Sequence, residues 1–370
     1  MNNLTLSPDI KSTLTSIPKE KKRLDYLDAM RGFTMFLVVL GHVCNWTLGL
    51  DELHPTIPGL ILYFRMPLFF FISGFIGFKA IDFWDKKHYG RRLLTKAKVQ
   101  LIPTIVFFSI IILLGIHSWA FPGGYWFTLV LFEMFLVYFS TSFIWKHISQ
   151  KYYSLAIIGS IVFVFAITVP LEGTSISKWL AFGFFRQFYP FFVVGLLTRK
   201  YQEKFLYIMS KDYVVTSLIF LSILLAIIFH KLDLVNTNIS LFSVLMKIEG
   251  VVMLFVVFNC FFSTRSFWSK ENRFAYVFRW VGRRTLDIYM LHYFFVFPTI
   301  TSLKQFLVSN PNEILILLIA SFFTIIIMAM SLLISSILRT SNFLSNWLFG
   351  VRQPSNKNLS TDTVPQTSVS

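Results

Sequence analysis

The chain has 370 residues, 55% of them hydrophobic and 14% charged, with a formal net charge of +16; its mean hydropathy is +0.65. A soluble domain carries roughly 25% charged residues, so the composition excludes an ordinary soluble globule and points to lipid as the solvent. The positive balance does not point to nucleic acid. The cations fall in short gaps between apolar runs and alternate from gap to gap, which is the pattern of membrane topology.

Residues 1–22 are polar and rich in Ser and Thr. They lack the apolar core of a cleaved signal peptide, so they read as a disordered cytoplasmic tail, and the first span acts as its own insertion signal. Ten apolar runs follow, near 32–50, 59–79, 101–118, 125–145, 153–171, 179–198, 213–230, 241–263, 285–303 and 314–338. Each is near the length of about 20 residues that a helical span needs. With the N-terminus inside, the inner gaps carry nearly all the basic residues, among them Lys86, Arg91, Arg92, Lys96, Lys98, Arg199, Lys200, Arg279, Arg283 and Arg284. The outer gaps carry only Lys178, Lys231 and Lys304. The expected architecture is therefore all-α, a polytopic transmembrane bundle of about ten spans with both termini cytoplasmic. One transmembrane domain is expected over residues 23–340, and residues 353–370 read as a second disordered tail. Cys44 and Cys260 lie inside apolar runs, and no C-x-x-C or other metal-binding spacing is present, so neither a disulfide framework nor a metal site is expected.

A charge at the bilayer centre costs at least about 2.5–3.5 kcal/mol, so ionisable groups inside spans are functional hypotheses by default. His42, Arg65, Glu133, Arg186, Lys247, Glu249, Asp287 and His292 are such groups. Span one places Arg31 and His42 eleven positions apart. That is about 20° beyond three full turns, so both side chains share one face with an axial separation of ~16 Å. Asn45 extends the same face. Arg31 stands at the cytoplasmic mouth and His42 near mid-membrane. A long, thin anionic ligand suits this spacing: an arginine fork binds phosphate, and a neutral histidine is a general base near pH 7. A positive-inside anchor and a packed polar histidine fit the same spacing, so geometry alone leaves both open. In span two Arg65 precedes Pro67, and Ser73-Gly74 permits close helix packing. In span nine His292 lies ~12 Å from the cytoplasmic end, with Tyr289 one turn below it. The chain has no P-loop, H-E-x-x-H, G-x-G-x-x-G or G-x-S-x-G motif.

Several of these features recur in fixed order. Leu27-Asp28-Ala-Met-Arg31-Gly32 with His42 resembles the opening L-D-x-x-R-G…H signature of the membrane-bound acyltransferase-3 family, with its R-x10-H spacing. Met66 to Phe75, Lys96-Ala-Lys98 up to Pro103, Tyr125-Trp126-Phe127, Tyr189-Pro190-Phe191-Phe192 up to Gly195, and Ile288-Tyr289-Met-Leu291-His292 are similar to the family's later motifs. Together they cover residues 25 to 295. Many relatives that acetylate sugars have His where this chain has Arg65, and the segment after span two has Arg91-Arg92 and Lys96 rather than R-x-x-R.

The resemblance implies transfer of an acetyl or other small acyl group from cytoplasmic acyl-CoA to a hydroxyl of a cell-surface or lipid-linked carbohydrate, in the cell (inner) membrane. No cofactor is bound permanently; acetyl-CoA is a co-substrate. In that reading His42, Arg31 and Asp28 are catalytic, with Asp28 orienting Arg31 and His42 acting as base or acyl carrier. Arg91, Arg92, Lys96 and Lys98 hold the donor phosphates. Asn45, Arg65, Ser73, Glu133, Arg186, Tyr289 and His292 line the acceptor side or the central cavity. A base role needs neutral His42, so activity should fall at acid pH. A secondary transporter or flippase for a sugar-containing substrate is the alternative that the intramembrane charges also fit.

Overall fold

The computed structural model describes residues 24–50, 57–78, 86–118, 120–146, 152–232 and 239–350. The two tails, 1–22 and 353–370, lie outside the described residues. Sixteen α-helices and no strand occur among the described residues. α1 is Asp25–His42 and runs into a π turn, Val43–Thr47. Asp25 and Asp28 sit in its first turn, where the helix dipole favours anions. α2 is Ile57–Gly77, α3 Lys86–Leu113, and α4 Trp126–Lys146, entered through a 3-10 turn at Gly123–Tyr125. α5 is Tyr153–Thr168, α6 Ser175–Trp179 and α7 Phe182–Lys200. α8 (Gln202–Met209) and α9 (Asp212–Leu232) are followed by α10, Ile239–Ser263. Next come α11 (Arg265–Ser269), α12 (Arg273–Arg283), α13 (Thr285–Leu291), α14 (Thr301–Ser309), α15 (Glu313–Leu338) and α16 (Asn342–Phe349).

Among the described residues, five segments are long and apolar enough to cross a membrane: Asp25–Thr47, Lys87–Leu113, Gly123–Trp145, Val244–Ser263 and Glu313–Leu338. The pair α8 and α9, bent by 75°, makes a sixth if it is one crossing. α5 and the Phe64–Gly77 part of α2 are shorter apolar stretches among the described residues. Three expectations change. The basic approach to span three is not a loop. α3 is helical from Lys86, and its 28 residues rise ~42 Å, well beyond a hydrocarbon core of ~30 Å. Arg91, Arg92 and Lys96 are therefore fixed on a rigid helical extension. Span nine is not one helix over 285–303. α13 has seven residues, a 3-10 turn follows at His292–Phe294, and the chain then leaves helix until Thr301. Pro298 disfavours helix in the residue before it, and the non-helical stretch is tied to the end of α1. Ile300 N–H donates to Thr47 O at 3.0 Å, and Thr47 Oγ1 to Phe297 O at 3.0 Å. The packed unit also extends past residue 340, because α16 folds back on α3: Lys98 Nζ donates to Asn346 Oδ1 at 3.3 Å, and Phe107 meets Phe349.

Two glycine crossings set the bundle. A Cβ on Gly74 of α2 would collide with the carbonyl oxygen of Phe192 on α7, and one on Gly195 of α7 with the carbonyl oxygen of Phe71. Gly32 of α1 and Gly282 of α12 make the same reciprocal fit, against the carbonyl oxygens of Phe278 and Asp28. Lipid offers apolar side chains no gain from meeting each other, so membrane helices associate where small residues let backbones approach. Between the crossings lies an aromatic core in which Phe71, Phe75, Phe205 and Phe262 surround Phe258.

Candidate active site

α1 crosses α12 at its cytoplasmic start by the sequence reading, and its far end reaches α13. One face of α1 thereby meets the segment 285–293 along its length. At the first level Arg31 Nη2 donates to Thr285 Oγ1 at 2.8 Å. Three turns further along α1, the His42 ring stacks on His292 with centroids 5.3 Å apart and planes 28° apart. The shared face expected of Arg31 and His42 is thus the face that meets α13 and its 3-10 turn.

Around Arg31 a cavity of about 580 Å³ opens between α1, α2, α3, α4 and α13. It gathers Arg31, Ser73, Arg91, Arg92, Lys96 and Tyr289, six of the residues singled out from the sequence. On α3 the lining positions 91, 92, 95, 96, 99 and 100 recur at helical spacing and form one face. Lys96 Nζ stands 3.6 Å from the centroid of the Phe135 ring, a cation–π seat. Ser73 Oγ donates to Phe69 O at 2.9 Å, within its own helix. Sequence reasoning missed Gln100, Thr128 and Thr285. Gln100 is 5% exposed, and its Oε1 is buried with no hydrogen-bond partner. Nothing in its sequence context marks it, because a glutamine in an apolar run carries no charge signal.

The cavity ends on Tyr289, and the histidine pair lies beyond. Tyr289 Oη accepts from Phe127 N–H at 3.2 Å and donates to Gly124 O at 2.7 Å. Tyr293 Oη donates to the same carbonyl at 2.7 Å and lies 3.4 Å from His42 Nε2. A carbonyl only accepts, so when Tyr293 donates to Gly124 its oxygen is left to face His42 as an acceptor. In that arrangement His42 would carry its proton on Nε2 and its lone pair on Nδ1. His292 Nδ1 lies 3.0 Å from Ile288 O and 2.7 Å from Tyr289 O. Both are acceptors, so Nδ1 holds the proton and the buried Nε2, which has no partner, holds a lone pair. Trp46 covers His42 at 4.8 Å. The π turn that follows His42 swings Trp46 onto the imidazole, and such turns recur at functional sites. Asn45 belongs to that turn. Arg65 donates to Val38 O at 3.3 Å, and its charge is close enough to act on His42, His292 and Tyr293. Tyr293 and Gly124 were not singled out from the sequence, although each adjoins a motif that was.

Other expected site residues stand elsewhere. Asp28 accepts from Arg283 Nε at 3.0 Å, so a partner on α12 holds it. Lys98 turns to α16, with Nζ 4.5 Å from the Trp347 ring, and is not part of the cavity wall. Glu133 follows Leu131 by two residues, about 200° around α4, which turns it away from the wall of Phe127, Leu131 and Phe135. Arg186 pairs with Glu172 at 2.9 Å beside a different cavity. Asp287 is explained by structure: Arg339 donates to its two oxygens at 2.8 Å each, and Ser335 donates to Oδ2. Glu249 Oε1 accepts from Ser222 at 2.7 Å between α10 and α9.

A basic cavity leading toward two stacked, buried imidazoles is equipped to hold a phosphate-bearing molecule and to move a proton. Compared with known proteins, residues 24–333 match the acyltransferase-3 family model, described as an acyltransferase domain. No curated protein and no solved structure gives a significant match. The matched stretch covers most of the chain and contains both the basic cavity and the histidine pair: the chain belongs to the acyltransferase-3 family and is an acyltransferase built on membrane-length helices.

Proposed function

We propose that this acyltransferase moves an acetyl group, or another small acyl group, from acyl-CoA to a hydroxyl of a cell-surface or lipid-linked carbohydrate. The observation that carries the reading is the cavity in which Arg31, Arg91, Arg92 and Lys96 converge before Tyr289 and the histidine pair. Coenzyme A is a long anion with phosphates at one end and the reactive thioester at the other. The cations would take the phosphates. The partnerless Oε1 of Gln100 would accept from an amide N–H of the pantetheine arm. The thioester would pass Tyr289 toward His42. Nδ1 of neutral His42 would take the proton of the acceptor hydroxyl as its oxygen attacks the thioester carbonyl. The tetrahedral adduct would collapse with loss of coenzyme A thiolate, and that proton would leave with the thiol. Attack by His42 itself, giving an acyl-histidine that the hydroxyl then takes up, uses the same atom. Asp28 would hold the start of α1 through Arg283, so that Arg31 keeps its place.

The ten apolar runs and the one-sided distribution of Lys and Arg support ten crossings with both termini cytoplasmic. The basic cavity then opens to the cytoplasm, where acyl-CoA is made, and the protein resides in the cell membrane. The test is hydrolysis or transfer of labelled acetyl-CoA by the purified chain in liposomes. His42→Ala should abolish transfer; full transfer by that variant would remove His42 from the chemistry. Absence of any acetyl-CoA turnover, together with counterflow of a sugar ligand, would favour a transporter instead.

A further inference from the structure

The second polar cavity, of about 570 Å³, lies between α5, α7 and α10 with Pro67 of α2 at its back. Its height in the bundle follows from the helix crossings. Gly195 on α7 meets Phe71 and Phe75 on α2, and the basic cavity extends from there to Gly77. Arg186 precedes Gly195 by nine residues, ~13 Å along α7. Lys247 precedes Phe255, which also touches Phe71, by eight residues, ~12 Å along α10. Both cations therefore sit at the end of the bundle away from the basic cavity.

Their partners are few. Lys247 is exposed and has no hydrogen-bond or ion-pair partner among the described residues, although it lies ~12 Å from the first residue of α10. Gln187 beside it has none either. Arg186 bonds to Glu172, whose side chain is 65% exposed; such a pair is weak and easily exchanged. Pro190 supplies no N–H to the carbonyl of Arg186, which leaves a further acceptor beside the cavity. The remaining wall is apolar and aromatic, with Phe165, Phe188 and Phe191.

A guanidinium, an ammonium and an amide thus meet on an apolar floor inside a helix bundle with membrane-length helices. Lys247 lies within the membrane-length segment Val244–Ser263, where a lone ammonium is unfavourable unless it reaches an anion or water, and the anions that a bilayer supplies there are phosphodiesters. We infer that this cavity is a binding site for the phosphate group of an anionic membrane lipid, held by Arg186 and Lys247, with Gln187 and the Arg186 carbonyl receiving the neighbouring polar groups and the phenylalanines meeting the upper acyl chain. The volume suits a headgroup and its glycerol rather than a whole lipid. The site does not depend on the acyl-transfer reading, since none of its residues lines the basic cavity.

The test uses the full chain in nanodiscs of mixed phosphatidylglycerol and phosphatidylcholine, with native mass spectrometry of the lipids that stay bound. Phosphatidylglycerol should be retained over phosphatidylcholine by roughly fivefold or more, and Lys247→Gln should remove most of that preference, while Lys247→Arg keeps it. Among the described residues Lys247 has no partner to lose, so this change spares the packing of the bundle. Arg186→Gln should act in the same direction, and Arg273→Gln at the other end of the bundle should not. Adding inorganic phosphate separates the sources: displacement of the retained lipid assigns the site to phosphate as such, and no displacement assigns it to the lipid headgroup. Equal retention of the two lipids, or a preference unchanged in Lys247→Gln and Arg186→Gln, overturns the inference.

Discussion

Replacing Tyr293 with Phe deletes one oxygen and leaves the ring in place among Tyr125, His292 and His42. Three contacts are lost, one of them the hydroxyl–hydroxyl bond with Tyr289, and the other two bear on the chemistry. The first is the 2.7 Å bond to Gly124 O, but that carbonyl keeps Tyr289 as a donor at 2.7 Å, so no buried acceptor is orphaned. A net hydrogen bond of this kind contributes about 0.5–1.5 kcal/mol, and the thermal midpoint should drop by only a few degrees. The second is the 3.4 Å contact to His42 Nε2, which assigns the proton to Nε2 and the lone pair to Nδ1. Without it the two tautomers compete, and a fraction of His42 presents N–H where the acceptor hydroxyl needs a base. A loss of about 1.4 kcal/mol in the transition state is tenfold in rate, so kcat should fall roughly 3- to 10-fold while KM for acetyl-CoA stays put. The assay is steady-state acetyl transfer by purified protein in liposomes, with a thermal melt of the same preparation. Unchanged kcat in a stable variant would refute the assigned tautomer. A rise in KM alone would move Tyr293 to the donor site.

Arg92→Gln and Lys96→Gln, each in the cavity wall, should raise KM for acetyl-CoA several-fold and weaken its dependence on ionic strength, whereas Lys98→Gln, turned to α16, should leave both unchanged; this is read from KM at two salt concentrations. Gln100→Leu should raise KM by up to tenfold, the equivalent of one hydrogen bond of about 1.4 kcal/mol, and should not affect binding of a coenzyme A fragment cut short before the pantetheine amides. Arg339→Ala leaves the Asp287 carboxylate, 1% exposed, without its counter-charge; breaking a buried pair costs about 3–5 kcal/mol, so the melting midpoint should fall by several degrees, and a second change, Asp287→Asn, should restore part of it. Gly282→Val drives a side chain into the Asp28 carbonyl and should reduce the yield of monodisperse protein far more than Gly159→Val, where the space is open.

Much of this arrangement can be read in the sequence because hydrophobic periodicity and charge placement act locally. Arg31 and His42 stand on one helix, so eleven residues of spacing already place them on one face, and that face meets Thr285 and His292 in the folded chain. Arg91, Arg92 and Lys96 are recognisable as a cluster for the same reason. What sequence could not supply is where helices bend and which neighbour a side chain meets. The ninth apolar run looks continuous, yet α13 ends at Leu291, a 3-10 turn follows, and helix resumes only at Thr301. Asp287 stands in the sequence as an unexplained charge in an apolar run until Arg339, 52 positions away, reaches it. Glu133 and Lys98 have the right composition and the wrong azimuth, and azimuth depends on how α3 and α4 roll against α1 and α16. Gln100 is silent in sequence and conspicuous only when its oxygen is found buried and unmatched.

The broken ninth run explains why so many polar bonds converge on one short segment. Irregular backbone at membrane depth is tolerated only where protein, not lipid, surrounds it. α13 and its 3-10 turn meet that condition from three sides. α1 contributes Arg31 to Thr285, the turn before α4 contributes Tyr125 to the Met290 carbonyl and receives Tyr289 and Tyr293 at Gly124, and α15 with its C-cap residue contributes Ser335 and Arg339 to Asp287. Each of these bonds satisfies a buried group, and together they over-determine a segment too short to hold its own shape as a helix. Tyr289, His292 and Tyr293 stand at i, i+3 and i+4, which share one face of a helix, and the break after Leu291 keeps that shared face while the chain leaves the helix. Ending the helix at Leu291 and tightening the next residues into a 3-10 turn brings all three against Gly124 or His42. The ion pair to Arg339 is then part of the site's construction: it touches no reacting atom, but it fixes the base of the segment whose tip presents the second imidazole. A loss of that pair should loosen His292 before it unfolds the bundle, so in Arg339→Ala the fall in kcat should exceed what partial unfolding at the assay temperature accounts for. Hydrogen exchange of residues 285–293 measured alongside activity decides it. Unaltered protection there with lost activity would detach Arg339 from the positioning of the histidine pair.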